Sequence, residues 1–180
     1  MDLAIPFTLI AVLIPVSAGI MLWATSGDIS ERHHSHHDTY VMASTLSWSL
    51  VFSMVFMGAL GILLEWLCVV GVFRANGVVV LGFFDAFLVV AFVYWLLLRR
   101  YKVVTYDDEM VVTPFLGKTV EIPYKDISAM EWTTSIITPN SRNVRVFVGH
   151  QRRALLWSVL DLDQILVRIN RFDVLDNLSS

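Results

Sequence analysis

Three long apolar stretches constrain the fold of this chain more than any other feature of its sequence. The first, residues 3–23, contains no charged side chain, and two more lie at about residues 48–73 and 77–98. A bilayer core about 30 Å thick is crossed by roughly 20 helical residues. With 56% hydrophobic residues overall, the chain is also more apolar than a typical soluble domain. The sequence therefore predicts an integral membrane protein with three transmembrane helices.

These stretches divide the chain into four predicted segments. Residues 1–25 form the first transmembrane helix, 26–46 a polar loop, 47–98 a helical hairpin, and 99–180 a small globular domain. The first stretch also fits the apolar core of a secretory signal peptide. The positively charged start that such a peptide needs is missing, however. We therefore expect a retained helix.

The distribution of basic residues predicts how the helices are oriented. The third stretch is followed by Arg99, Arg100 and Lys102, whereas the N-terminus has no Lys or Arg and the hairpin turn has one. Cytoplasmic ends of spans are enriched in Lys and Arg. We therefore expect a multi-pass protein of the cell membrane with its N-terminus outside and residues 26–46 and 99–180 in the cytoplasm. Arg99, Arg100 and Lys102 are interpreted as topology determinants at the lipid headgroups.

Beyond residue 100 the sequence changes to short segments separated by polar turns. Six segments are predicted to be strands, namely 101–106, 109–114, 118–122, 127–133, 143–149 and 153–157. Asp161, with Gln164 three residues later, is expected to cap a closing helix. One face of that helix would carry Leu162, Ile165, Leu166, Ile169 and Phe172. The predicted fold class is α+β, with three transmembrane helices followed by a small antiparallel β domain that one C-terminal helix closes.

This order of segments, with the stretch from Val120-Glu121-Ile122-Pro123 to Trp132, resembles the bacterial pleckstrin-homology-like domains that are fused to transmembrane hairpins. The resemblance covers roughly residues 100–172. It implies a strongly bent antiparallel sheet or partial barrel with the helix across one open end, and it brings no catalytic residues. Phosphoinositide binding is not expected, because the turn that matches the basic, phosphate-gripping hairpin of eukaryotic relatives is the acidic Asp107-Asp108-Glu109 here.

Two carboxylates, Glu65 and Asp85, lie inside predicted spans. Burial of an ionised carboxylate there costs at least about 2.5 kcal/mol, so each is expected to find a partner or to bind a proton. Each lies ten residues from Ala75 in the hairpin turn, which predicts a similar depth for both. If the helix faces that carry Glu65 and Asp85 converge, the two carboxylates could share a proton or hold a cation. The alternative is a structural hydrogen bond between helices or subunits.

The second span also carries a patch of small residues, Gly58-Ala59-Leu60-Gly61. Small side chains let the backbones of neighbouring helices approach closely in a membrane. The patch therefore predicts a helix contact on this span. Pro15, near the middle of the first span, predicts a kink in that helix.

The polar loop contains an unusual run of histidines, His33, His34, His36 and His37, flanked by Glu31 and Asp38. On a helix, His33 and His37 would share a face and could bind a divalent transition metal with a carboxylate. They could also sense pH. The alternative is a solvated polar loop, because the sequence predicts no scaffold that would fix three or four ligands.

The sequence contains no P-loop, dinucleotide glycine fingerprint or nucleophile elbow, so we expect a protein that is not an enzyme and uses no cofactor. A net charge of −3 without a basic excess disfavours nucleic acid as a partner. The leading hypothesis is a membrane-anchored interaction module that scaffolds or regulates another membrane protein or its own copies. The alternative is a small proton- or cation-linked transport or sensing subunit that uses Glu65 and Asp85.

Overall fold

The computed structural model describes residues 4–26, 37–134 and 141–176. The chain forms two compact units. One comprises residues 1–33 and 44–96, and the other comprises residues 34–43 and 97–180. The first unit is helical, and the second contains the β strands.

The helical unit contains three helices, α1 (Ala4–Ser26), α2 (Ser44–Val69) and α3 (Gly77–Arg100), the last of which runs on into the second unit. All three are long and apolar enough to cross a membrane. The three predicted helices are therefore confirmed as helices. Pro15 lies inside α1, which continues through it as one helix.

The turn between α2 and α3 begins earlier than the apolar pattern predicts, because Gly71 terminates α2. Gly71 has a φ of 81° in the left-handed region. The amides of Gly71 and Val72 donate to two carbonyls in the last turn of α2 at 3.1 and 3.0 Å. This pair of hydrogen bonds is a Schellman-type helix end. Asn76 then caps α3, since its side-chain oxygen accepts from the N–H of Val78 at 3.0 Å.

Buried residues of α2 recur with alternating spacings of four and three, at Ser47, Val51, Met54, Gly58 and Gly61. This near-3.5 period is the pattern of helices that pack side by side with a small crossing angle. Many large apolar side chains of α2 and α3 lie outside the buried positions and are exposed, such as Phe52 on α2 and Val79 and Phe83 on α3. A broad apolar surface of this kind suits contact with lipid.

The second unit contains two four-stranded sheets. The first has the order β1-β2-β3-β4, with β1 (Asp38–Val41), β2 (Lys102–Thr105), β3 (Glu109–Thr113) and β4 (Val120–Pro123). The second has the order β7-β6-β5-β8, with β5 (Ile127–Thr134), β6 (Arg142–Val148), β7 (Gln151–Leu156) and β8 (Leu175–Asp176). Strand pairs are antiparallel except for β5 with β8. The six predicted strands are confirmed as β2 to β7.

The closing helix, α4 (Leu162–Ile169), follows these strands as predicted. The side chain of Asp161 accepts from the N–H of Gln164 at 3.2 Å, which confirms the expected cap. The helix ends at Asn170, whose φ of 50° is left-handed. The placement of Phe172 on the helix face was wrong, because Phe172 lies beyond this end in a short 3-10 turn and is exposed.

Both sheets and α4 bury their apolar faces in one hydrophobic core. In β2, β3, β6 and β7 alternate residues are buried, as the two-residue period of a strand requires. The fully buried members of the core include Val103, Met110, Ile122, Met130, Val144, Val146, Leu156 and Ile165. The second unit is therefore one domain, called the β domain below.

Strand β1 is the main departure from the sequence-based expectation, because it lies within residues 26–46, which were predicted to be a loop. It pairs with β2 from Asp38↔Thr105 to Val41↔Lys102. Four residues are too few to show an alternating pattern, and the partner strand is distant in sequence. The pairing places β1 and β2 on the same side of any membrane that α2 and α3 cross, since two crossings return the chain to that side.

Candidate functional site

The last turn of α3, residues 97–100, already belongs to the β domain, and Tyr101 follows it with no linker. Tyr101 is 1% exposed. Its hydroxyl donates to the carbonyl of Leu155 and accepts from the N–H of Trp157, both at 3.1 Å. Its ring stacks on Phe115 with 4.5 Å between centroids. The residue that follows α3 is thus already part of the domain core.

Strand β1 provides a second attachment of the β domain to the helices. It ends at Val41, and α2 begins at Ser44. Met42 between them is buried, and Tyr40 packs against the domain core. The β domain is therefore joined to helices through short connections at two places, before α2 and after α3.

The basic residues at the end of α3 differ in what they contact. Arg100 donates from Nη2 to the carbonyl of Gly117 in the β3–β4 turn at 2.6 Å. Arg99 is half-buried, and Lys102 is exposed at the start of β2. Their role as topology determinants stays a prediction, but Arg100 also fastens the β3–β4 turn to the end of α3.

An open groove runs between β1 and α4. Its lining includes Asp38, Tyr40, Asp163, Gln164, Val167 and Arg168. The guanidinium of Arg168 lies 3.3 Å from Asp38 Oδ2 and 3.0 Å from Asp107 Oδ1. Because these groups are exposed, each ion pair contributes at most about 1 kcal/mol. The groove is lined on one side by residues of β1, the last strand at one end of the first sheet, and on the other by α4, whose Val167 is 66% exposed.

The small-residue patch of α2 is packed against the other two helices. A Cβ atom on Gly58 would lie 2.6 Å from the carbonyl oxygen of Ala11, and one on Gly61 would lie 2.9 Å from Cβ of Phe84. The close helix contact predicted from the sequence is confirmed, and it involves both α1 and α3. Pro15 has no N–H to donate to the Ala11 carbonyl. That carbonyl instead lies against Gly58, where only the lack of a side chain leaves room for it.

Glu65 and Asp85 lie at different levels of the helical unit. Cγ of Glu65 is 3.2 Å from the position that a Cβ on Gly77 would occupy, at the start of α3. Asp85 is eight residues further along α3, which corresponds to about 12 Å. The expectation of similar depth was wrong. That expectation took depth from the number of residues between each carboxylate and Ala75. However, α2 already ends at Val69 and α3 begins at Gly77, so the turn is not centred on Ala75.

Asp85 is nevertheless an unusual residue. Its side chain is 3% exposed, and neither carboxylate oxygen has a hydrogen-bond partner among the residues that the structure describes. Leu81 and Leu88, one turn away on either side, are fully buried. An ionised carboxylate is costly in such surroundings, so binding of a proton or a cation at Asp85 stays a prediction.

Of the histidine run, only His37 falls within the described residues, and His33, His34 and His36 lie outside them. The ring centroid of His37 is 5.4 Å from that of Tyr106. Within the described ranges, no three His, Cys, Asp or Glu side chains are grouped closely enough to hold a metal ion. Metal binding or pH sensing by this run therefore stays a prediction.

Comparisons with protein-family models, with curated protein sequences and with solved structures found no match to this chain. The class of protein is therefore defined by the structure itself. It has three apolar helices that are able to span a membrane, followed by a small domain of two sheets closed by a C-terminal helix.

Proposed function

We propose that this protein is a membrane-anchored, non-enzymatic interaction module of a bacterial cell membrane. In this proposal α1 to α3 span the membrane and hold a pleckstrin-like β domain at its cytoplasmic face. The observation that carries the proposal is the double attachment of that domain through β1 and Tyr101. A domain tied at two places has little freedom to search the cytosol, so its partners are expected in the same membrane.

The pleckstrin-like assignment is supported by two sheets and a C-terminal helix that share one core. The expectation of a C-terminal helix that closes the domain also agrees with α4, which buries one face. That face is formed by Leu162, Ile165, Leu166 and Ile169. One feature is additional to the expected fold, since the first strand of the first sheet comes from the segment between α1 and α2.

The groove between β1 and α4 is the proposed binding surface. Strand β1 is an edge strand, with β2 on one side and no other strand on its outer side among the described residues. An exposed edge can pair with an extended segment of another chain, and an adjacent apolar groove can accept that segment's side chains. Val167 and Tyr40 supply such a groove. The partner would be another membrane protein or a second copy of this chain.

Site-specific photo-cross-linking in cells tests this proposal. A photoreactive amino acid at Val167 should give a cross-linked product in the membrane fraction, because this side chain is exposed in the groove. The same amino acid at Arg152, which is exposed on β7, serves as the matched control and should give much less product. Recovery of uncross-linked monomer alone from the Val167 variant would contradict the proposal.

A second candidate function is favoured by the buried carboxyl group of Asp85, which has no hydrogen-bond partner in the described part of the chain. We propose as the alternative a small proton- or cation-linked transport or sensing subunit, which would need an oligomer or a partner because three helices are few for a pathway. In proteoliposomes, Asp85→Asn should then abolish proton or cation flux while leaving assembly unchanged. Equal flux in the wild type and in this variant would exclude the alternative.

A further inference from the structure

The two turns that flank β3 lie at opposite ends of the β domain. β2 begins next to Arg100 and leads to the turn at Asp107 and Asp108, and β3 returns from that turn toward α3. Five residues of β3 separate the two turns by about 17 Å. The next turn, residues 114–119, is therefore brought back to the end of α3. The hydrogen bond from Arg100 to the Gly117 carbonyl, at 2.6 Å, fixes it there.

The turn beside α3 has an apolar tip. Leu116 is 72% exposed, although most large apolar side chains of the β domain are buried. Gly117, with a φ of 99°, provides the left-handed residue that this tight turn requires. Phe115, the residue directly before Leu116, packs against the domain core and against Tyr101. The turn is thus held firmly by its base, with Leu116 projecting from it.

The charges at the two ends of the domain also differ in sign. Lys118 is exposed next to the apolar tip, and Lys102 and Arg100 are exposed nearby along the chain at the end of α3. The opposite turn carries Asp107 and Asp108, both exposed, and continues into Glu109. Exposed lysine and arginine near a membrane surface are attracted to anionic lipids, whereas carboxylates are repelled.

We infer that the β3–β4 turn is a membrane-contacting element, in which Leu116 enters the headgroup region of the protein's own bilayer and Lys118 lies at the lipid phosphates. Arg100 is the last residue of a helix that is able to span the membrane, so a group hydrogen-bonded to it lies near the membrane boundary. An apolar side chain flanked by basic ones is the combination that binds at this boundary. The inference rests on the proposed crossing of the membrane by α3, and it orients the acidic turn toward water.

Fluorescence quenching in nanodiscs tests the inference on the full chain. Single cysteines replace Leu116, Asp108 and Val90 in a Cys68→Ser background, and each carries an environment-sensitive fluorophore. The bilayer contains phosphatidylglycerol and a lipid with a spin label near its headgroup or along its acyl chain. The Leu116→Cys probe should show blue-shifted emission and a loss of fluorescence with the headgroup-proximal label. The Asp108→Cys probe should show neither.

Two control probes, the one at Val90 and a further one on Val167→Cys in the same background, make the outcomes distinguishable. Val90 is exposed on α3, so its probe should be quenched by the acyl-chain label if α3 spans the membrane. Val167 is an exposed apolar residue beside Arg168, which contacts Asp107 at the opposite end, and its probe should remain in water. If the Val90 probe is quenched but the Leu116 probe behaves like the Asp108 probe, the inference is overturned and the spanning assignment of α3 stands. Absence of quenching at Val90 would overturn the spanning assignment together with the inference.

Discussion

Replacement of Tyr101 by alanine should unfold the β domain while the three helices remain in the membrane. Removal of a buried aromatic side chain costs about 3–5 kcal/mol. This is a large part of the free energy of unfolding of a typical domain, which is about 5–15 kcal/mol. The substitution would also leave the Leu155 carbonyl and the Trp157 N–H without the partner that they share in the Tyr101 hydroxyl. The loss of both hydrogen bonds adds about 1–3 kcal/mol.

Tyr101→Phe is the matched control for this prediction. It keeps the ring that stacks on Phe115 and removes only the hydroxyl with its two hydrogen bonds, so we expect a loss of about 1–3 kcal/mol. Pulse proteolysis of the full chain in detergent, with urea, measures the free energy of unfolding of the β domain for each variant. Alanine and phenylalanine variants of equal stability would show that Tyr101 does not carry the connection between α3 and the domain.

The same hydroxyl should make the domain sensitive to alkali. Burial raises the pKa of Tyr101 to about 12 and also raises the pKa of Tyr124 to about 12. Tyrosine in the unfolded chain ionises near a pKa of about 10. Between these values the unfolded state has lost protons that the folded state retains. The stability contribution is therefore complete below about pH 10 and falls as pH rises toward 12. In the same assay, Tyr101→Phe should reduce this slope.

Local sequence patterns were sufficient to predict most of the architecture. Length and apolarity identified α1 to α3, because the bilayer thickness fixes how many residues a span needs. Short segments between polar turns identified β2 to β7, and the spacing of Asp161 and Gln164 identified the start of α4. Each of these signals lies within a few consecutive residues, which explains why the sequence alone reveals it.

The features that the sequence did not reveal depend on contacts between distant residues. Strand β1 exists because Asp38–Val41 pairs with β2, and nothing within its own four residues distinguishes it from a loop. The depth of Glu65 relative to Asp85 depends on where Gly71 ends α2, a backbone conformation that residue counting does not include. The hydrogen bond from Arg100 to the Gly117 carbonyl, on which the proposed membrane contact of Leu116 rests, joins residues that are 17 positions apart.

The topology of the chain is expected to give an all-or-none pattern of chemical labelling. Asn76, in the turn between α2 and α3, should lie outside, because one crossing by α3 separates it from the β domain. Asp108, at the acidic turn, should lie in the cytoplasm. Val41, in β1, should lie on the same side as Asp108, because β1 is hydrogen-bonded to β2. Val41 and Asp108 are both exposed, so a cysteine at either position is accessible to a water-soluble reagent.

Cysteine labelling in intact cells tests the central claim, a β domain held at the cytoplasmic face by β1 and α3, most directly. Single cysteines at Asn76, Val41 and Asp108, in a Cys68→Ser background, are treated with a membrane-impermeant maleimide before and after permeabilisation. The account predicts that Asn76→Cys reacts in intact cells and that the other two react only after permeabilisation. Reaction of Asp108→Cys in intact cells would place the domain outside, and different behaviour of Val41→Cys and Asp108→Cys would contradict the pairing of β1 with the domain.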